Sequence, residues 1–338
     1  MLSFTAAAAT LLSTLLSLAN AHMGMFHPSV LDFDGNGYDL VTPLSNLPFE
    51  QWWFHGDLNK PTPTSSFPLP AGGTVTVELA CNKEFTSYGD SGDGEDACPT
   101  DVASYHAGDP IDDAQLMGCA LAIAYESSFA AVKPEEFVVF SVNRRCVSAL
   151  RTEFAVPQTM RMCPQAGCIC AWFWQGQDSA DEMYMNGFRC HVTGGQASAT
   201  PIADPKPPRW CPDGGCVEGP KQPMYWANKQ SNIAFSGEYA KKPSYNMKWG
   251  FRDGAQEIFS AGVAGGKVEG SSSEAYAPTK TVGPSGTSLE TTAFVSTGVP
   301  TTFSIVTKTS GQEEMLSETY PPALPVSTPP GKSVPVNH

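Results

Sequence analysis

The chain falls by pattern into a varied region and a monotonous one. Between residues 22 and 260, short apolar runs recur, separated by segments rich in Pro, Gly and Asp. Residues 73–80 (GTVTVELA) alternate apolar and polar side chains, the period of a half-buried strand. Residues 119–125 (CALAIAY) and 136–142 (EFVVFSV) are apolar enough to be central strands. Residues 170–174 (CAWFW) and 183–192 (MYMNGFRCHV) complete the set, and one short helix is expected near residues 109–117. Many short strands with turn residues between them predict an all-β fold, an antiparallel β-sandwich with long loops.

The two ends read differently. Residues 1–21 carry no charged side chain, hold an apolar stretch at 6–18 and end in Ala19-Asn20-Ala21. That is the small-x-small pattern of a cleaved signal peptide, and the apolar stretch is short for a membrane span. The expected protein is secreted and extracellular, with its mature domain at residues 22–260. Residues 261–338 are rich in Ser, Thr, Pro and Gly and contain no Cys or Trp, whereas all seven tryptophans precede them. Such a composition buries too little apolar surface to offset ordering entropy, so a disordered, O-glycosylated tail is expected.

Composition narrows the partners. The formal net charge is -14, which repels nucleic acid and anionic membrane surfaces and sets both aside. The ten cysteines are an even number in an oxidising compartment, so disulfides are expected. Local pairing gives Cys81–Cys98, Cys119–Cys146, Cys163–Cys168, Cys170–Cys190 and Cys211–Cys216. There is no glycine-rich nucleotide loop, no GxSxG and no HExxH. Residues 32–37 (DFDGNG) resemble the start of a calcium loop, but position twelve would be Pro43 where that loop needs a bidentate Glu.

The most informative position is His22. Cleavage after Ala21 makes it the first residue, and a terminal His offers its α-amine and ring nitrogen to one metal. A second imidazole would complete a three-nitrogen set of the kind that favours one copper ion. The candidates for that imidazole are His27, His55, His106, His191 and His338. His106 sits in a polar loop (SYHAGDP), a solvent-accessible place for a ligand. His27 is close to His22 in sequence, His55 follows Trp52-Trp53-Phe54, His191 follows Cys190, and His338 lies in the tail.

Several segments together carry a family resemblance. They are HMGMFHPS at the mature start, NLPFEQWWFHG, AGGTVTVELACNKEFT, MGCALAIAY, KPEEFVVFSV, CICAWFW and EMYMNGFRC, then PRWC, QPMYW and RDGAQEIF. The chain from His22 to Phe259 resembles a lytic polysaccharide monooxygenase, specifically the fungal, xylan-active group of auxiliary-activity family 14. The resemblance implies an immunoglobulin-like β-sandwich with a surface copper site built as a histidine brace. Position by position it matches His22 to the terminal brace histidine, His106 to the second and Tyr184 to the axial tyrosine.

Strand alternation places Glu182 on the face of Tyr184, where it could hydrogen-bond an oxygen species, with Gln175 and Gln177 as weaker candidates. Trp172 and Trp174 share a face, as core packing or as a path for an electron. The implied activity is copper-dependent cleavage of plant cell-wall polysaccharide, xylan or xylan on cellulose. It needs an external electron donor and dioxygen or hydrogen peroxide, and a monomer is expected. Two rivals remain: a non-catalytic copper-binding protein, and a structural wall protein whose tail is a glycosylated stalk.

Overall fold

The computed structural model describes residues 22–91, 94–177, 179, 181–196 and 203–258. The expected signal peptide and the tail lie outside the described residues. The strands are β1 (Gly24–Phe26), β2 (Phe67–Pro70), β3 (Thr74–Ala80), β4 (Cys119–Ala124), β5 (Val138–Asn143), β6 (Arg151–Ala155), β7 (Cys168–Trp174), β8 (Tyr184–Thr193) and β9 (Gly254–Ala255). They form a three-stranded sheet, β1-β3-β6, and a six-stranded sheet, β2-β8-β7-β4-β5-β9. Every pair of these strands is antiparallel except β2 with β8. The expected β-sandwich with long loops and disulfides is the architecture.

The core between the sheets takes Phe26 from β1, Val75, Val77 and Leu79 from β3, and Phe154 from β6. From the larger sheet it takes Leu121, Phe140, Trp172, Trp174 and Phe188. The alternate residues of that sheet, among them Ala120, Ala122, Ala171, Phe173 and Met185, enter a second apolar cluster on its other face. That face is roofed by Trp52, Trp53 and Phe54 and by Tyr245, Trp249 and Phe251. A strand apolar on both faces has to be covered on both faces, which explains why CICAWFW shows no alternation. Gly187 lets the roof close: a Cβ there would lie 2.2 Å from the Phe54 ring.

The structure differs from the sequence expectations at element ends. The helix expected at residues 109–117 is one 3-10 turn, Asp113–Gln115. Asp112 caps it by accepting from the Ala114 N–H, and Leu116 is already extended. A single turn fixes several dihedrals for few hydrogen bonds, so it does not extend without an apolar stripe to bury. Pro134–Glu136 likewise forms a 3-10 turn before β5, with the Glu136 carboxylate accepting the Lys133 N–H at 2.7 Å. In β2, Ala71 just past the strand donates its N–H inward to Thr193. By alternation the nitrogens of Pro68 and Pro70 face away from the sheet, as an edge strand permits. The five disulfides join Cys81–Cys98, Cys119–Cys146, Cys163–Cys168, Cys170–Cys190 and Cys211–Cys216.

Candidate metal centre

His106 ends the 3-10 turn Val102–Tyr105, whose first N–H groups are capped by Asp101. Its backbone is left-handed, φ 48° and ψ 38°, a conformation His tolerates better than branched residues do. The turn is anchored next door. The Tyr105 hydroxyl receives the Cys98 N–H at 2.7 Å and donates to the Asp96 carboxylate. Burial and that carboxylate push the Tyr105 phenol well above its ordinary pKa, so it stays a donor.

The left-handed residue brings the imidazole inward. Its ring centroid lies 5.9 Å from that of Trp174, whose ring lies 4.8 Å from that of Tyr184. Trp174 and Tyr184 are register partners at the matching ends of β7 and β8. The Tyr184 hydroxyl donates to the Glu182 carboxylate at 3.1 Å. His106, Trp174, Tyr184 and Glu182 therefore form one continuous row. Burial first, then the charge and hydrogen bond of Glu182, raise the Tyr184 pKa far above that of a free tyrosine. The phenol is held protonated.

His106 is only 9% exposed, in contrast to the solvent-accessible loop position expected of it. Gly176 accounts for the difference. Its backbone lies against the imidazole so closely that a Cβ would sit 2.5–2.6 Å from His106 Cβ, Cγ and Cδ2.

His22 is half-buried and lies two residues before the start of β1. That strand is fastened to β8 by the Met25 N–H, which donates to Asn186 Oδ1 at 2.8 Å, two residues along from Tyr184. Met23 beside His22, Tyr105 and Ala107 beside His106, and Tyr184 share the core between the sheets.

Three other histidines have structural work. His27 Nδ1 accepts the Ser29 N–H at 3.0 Å, and its ring packs edge-on against Phe67. His55 donates from Nε2 to the Met185 carbonyl at 2.7 Å, and burial lowers its pKa. His191 Nδ1 is 3.0 Å from the Ser66 hydroxyl. His338 lies outside the described residues. Gln175 is fully buried and donates to the Pro243 carbonyl at 2.6 Å, while Gln177 is partly buried. The resemblance to a calcium loop ends in a turn whose Asp32 carboxylate holds the Lys60 ammonium at 3.2 Å.

Among the described residues, no three His, Cys, Asp or Glu side chains gather into a metal cage. A brace does not need one. The packed Gly176–His106–Trp174 contact fixes one imidazole, a nitrogen donor of the kind that suits Cu(II). Sequence reasoning missed two members of this neighbourhood, Gly176 and Lys242, the latter fully buried with its ammonium 2.8 Å from the Gly176 carbonyl. Neither residue type signals such a role in sequence.

Comparisons with known proteins identify the family. The family model described as lytic polysaccharide monooxygenase AA14 matches residues 3–334, a wider span than the His22–Phe259 resemblance. An AA14 family lytic polysaccharide monooxygenase B of Pycnoporus cinnabarinus is 42% identical over 73% of this chain and 72% of its own. Monooxygenases B and A of Trametes coccinea (strain BRFM310) are 41% and 39% identical, over 78% and 83% of this chain and 69% and 71% of theirs. With a family match along nearly its whole length and relatives this similar, the chain belongs to the lytic polysaccharide monooxygenases of auxiliary-activity family 14, enzymes that cleave polysaccharide oxidatively.

Proposed function

We propose that the chain is a secreted, monomeric, copper-dependent enzyme that cleaves xylan, including xylan lying on cellulose. Processing after Ala21 makes His22 the first residue and frees its α-amine. His22 would then hold the ion by its amine and a ring nitrogen, His106 by a second imidazole, and Tyr184 would lend a phenol oxygen. Copper held there would supply one-electron redox chemistry, with an external electron donor and dioxygen or hydrogen peroxide as co-substrates.

The chain's own residues do the rest. Trp174 packs against both His106 and Tyr184 and restrains the two rings. Glu182 takes the phenol hydrogen bond, which keeps Tyr184 neutral and therefore a weak donor. The same carboxylate would hydrogen-bond the oxygen co-substrate.

The observation that carries this reading is the unbroken row from His106 to Glu182. Two sizeable cavities, of about 480 and 350 Å³, are lined by other residues, around Tyr125 and Arg161 and around His27 and Tyr88. That fits a polymer substrate, which docks on a face because it is too long to enter a pocket.

The test is made on protein secreted by a fungal host, with His22 confirmed as first residue by mass spectrometry. One tightly bound Cu(II) with a nitrogen-rich tetragonal EPR signal is expected, with reductant-dependent release of oxidised xylo-oligosaccharides. Both should be lost in His106→Ala. Bound copper with no oxidised product from any polysaccharide would favour a copper-binding protein. Absence of stoichiometric copper would overturn the reading.

A further inference from the structure

Lysine is rarely buried without partners, because removing an ammonium from water is expensive. Lys242 is 1% exposed, and among the described residues its ammonium reaches the Gly176 carbonyl at 2.8 Å, the Ser179 carbonyl at 2.9 Å and the Ser179 hydroxyl at 2.8 Å. These acceptors lie 63 to 66 residues away in sequence, in the connection that follows β7. The backbone around Lys242 is fixed as well. Trp249 Nε1 donates to the Lys242 carbonyl at 3.1 Å, and Gln175 Nε2 donates to the Pro243 carbonyl at 2.6 Å. Residues 242–243 thus grip Gln175, Gly176 and Ser179 by both side chain and main chain.

What the grip holds is the wall of the metal centre. Gly176 packs on the His106 imidazole with no room for a methyl group. A packed contact of that kind transmits displacement, because interiors have few voids to absorb it. We propose that Lys242 is a positioning residue: through Gly176 it sets the position of the His106 ring, and so the geometry of the copper site. The proposal rests on His106 being a copper ligand, as argued above. It goes further by naming a buried cation on the C-terminal arm as part of the support for that ligand.

The experiment compares Lys242→Met with the wild-type chain. Met keeps the length of the side chain and removes all three donors. In the metal-free protein, the His106 ring resonances should shift in NMR spectra. In the copper-loaded protein, affinity should fall roughly 10- to 100-fold, the usual effect of removing an outer support of a metal ligand. The EPR parameters should change with it.

Gly176→Ala, which pushes on the ring directly, should shift the same resonances. Asn232, whose amide donates to Gln222 Oε1 and the Pro223 carbonyl and accepts the Tyr225 N–H, lies outside this grip, and Asn232→Ala should lower thermal stability without moving them. A folded Lys242→Met with wild-type His106 resonances, copper affinity and EPR signal would overturn the proposal. Should Lys242→Met fail to fold, Ser179→Ala decides, since it removes the hydroxyl that accepts from the ammonium. A smaller shift in the same direction supports the proposal, and an unchanged His106 signal overturns it. If the wild-type chain binds no copper, the functional reading fails while the metal-free comparison still decides this one.

Discussion

His106 shows how much one backbone conformation can decide. Were residue 106 extended, its ring would not turn inward to Trp174, and the row that ends at Glu182 would lose its first member. The far end of the row makes a prediction. Glu182→Gln keeps a hydrogen-bonding group near the Tyr184 hydroxyl and loses the charge. It should fold and bind copper normally, yet show reductant-dependent turnover reduced at least about tenfold, the scale expected for a positioned proton-handling group. Turnover equal to wild type would remove Glu182 from the chemistry.

A second residue titrates in a useful range. Burial, then Asp32 and Asp39, raise the Asp57 carboxyl to about 6, with Lys60 pulling the other way. A raised carboxyl pKa means the fold favours the protonated form. The stabilisation is present below the ordinary value of 3.8 and is lost as pH rises through about 6. The whole shift corresponds to about 3 kcal/mol, and partial exposure reduces it to the order of 1 kcal/mol. Asp57→Asn should therefore match wild type in acid and exceed it by about 1 kcal/mol near neutral pH in urea unfolding. A difference independent of pH would refute the assignment.

At this scale the sequence was partly readable. His22 declares itself by position after a cleavage pattern, and the family resemblance selected His106 and Tyr184. Lys242 and Gly176 are silent, because a lysine is by default an exposed residue and its acceptors here lie 63 to 66 residues away along the chain.

The elements carry a separate lesson. The strongest apolar runs were legible as strands, since both faces of the larger sheet are covered. Residues 67–70 (FPLP) are not among the expected strands; two prolines interrupt them, and only the sheet edge makes them admissible. Residues 151–155 do alternate, but the strand is short and its outward Arg151 and Glu153 dilute the signal.

The disulfides differ in reach. Cys119–Cys146 closes a separation of 27 residues and ties the start of β4 to the turn after β5, whereas Cys163–Cys168 closes one of 5. Loop-closure entropy then predicts that Cys119→Ala with Cys146→Ala costs about 3.5 kcal/mol, and Cys163→Ala with Cys168→Ala about 2 kcal/mol. Guanidinium unfolding of the two double variants checks the order. A reversed order would mean that local packing outweighs chain entropy.

The whole molecule carries a net charge of -14, and its proposed substrate is a largely neutral polymer. Binding to neutral xylan should vary little with salt. Binding to polygalacturonate should be weak at low salt and strengthen as salt screens the repulsion over about 10 Å. Affinity for polygalacturonate that falls with added salt would point to a basic docking face that the net charge hides.

The outward-facing prolines of β2 have one more consequence. A secreted enzyme can be crowded against its own copies in a thin film on a solid, where open sheet edges invite strand-to-strand accretion into fibrils. Pro68 and Pro70 leave that border of the larger sheet without N–H groups at two alternate positions, and the opposite border, β9, is two residues long. Neither margin offers an incoming chain a ladder of any length to climb.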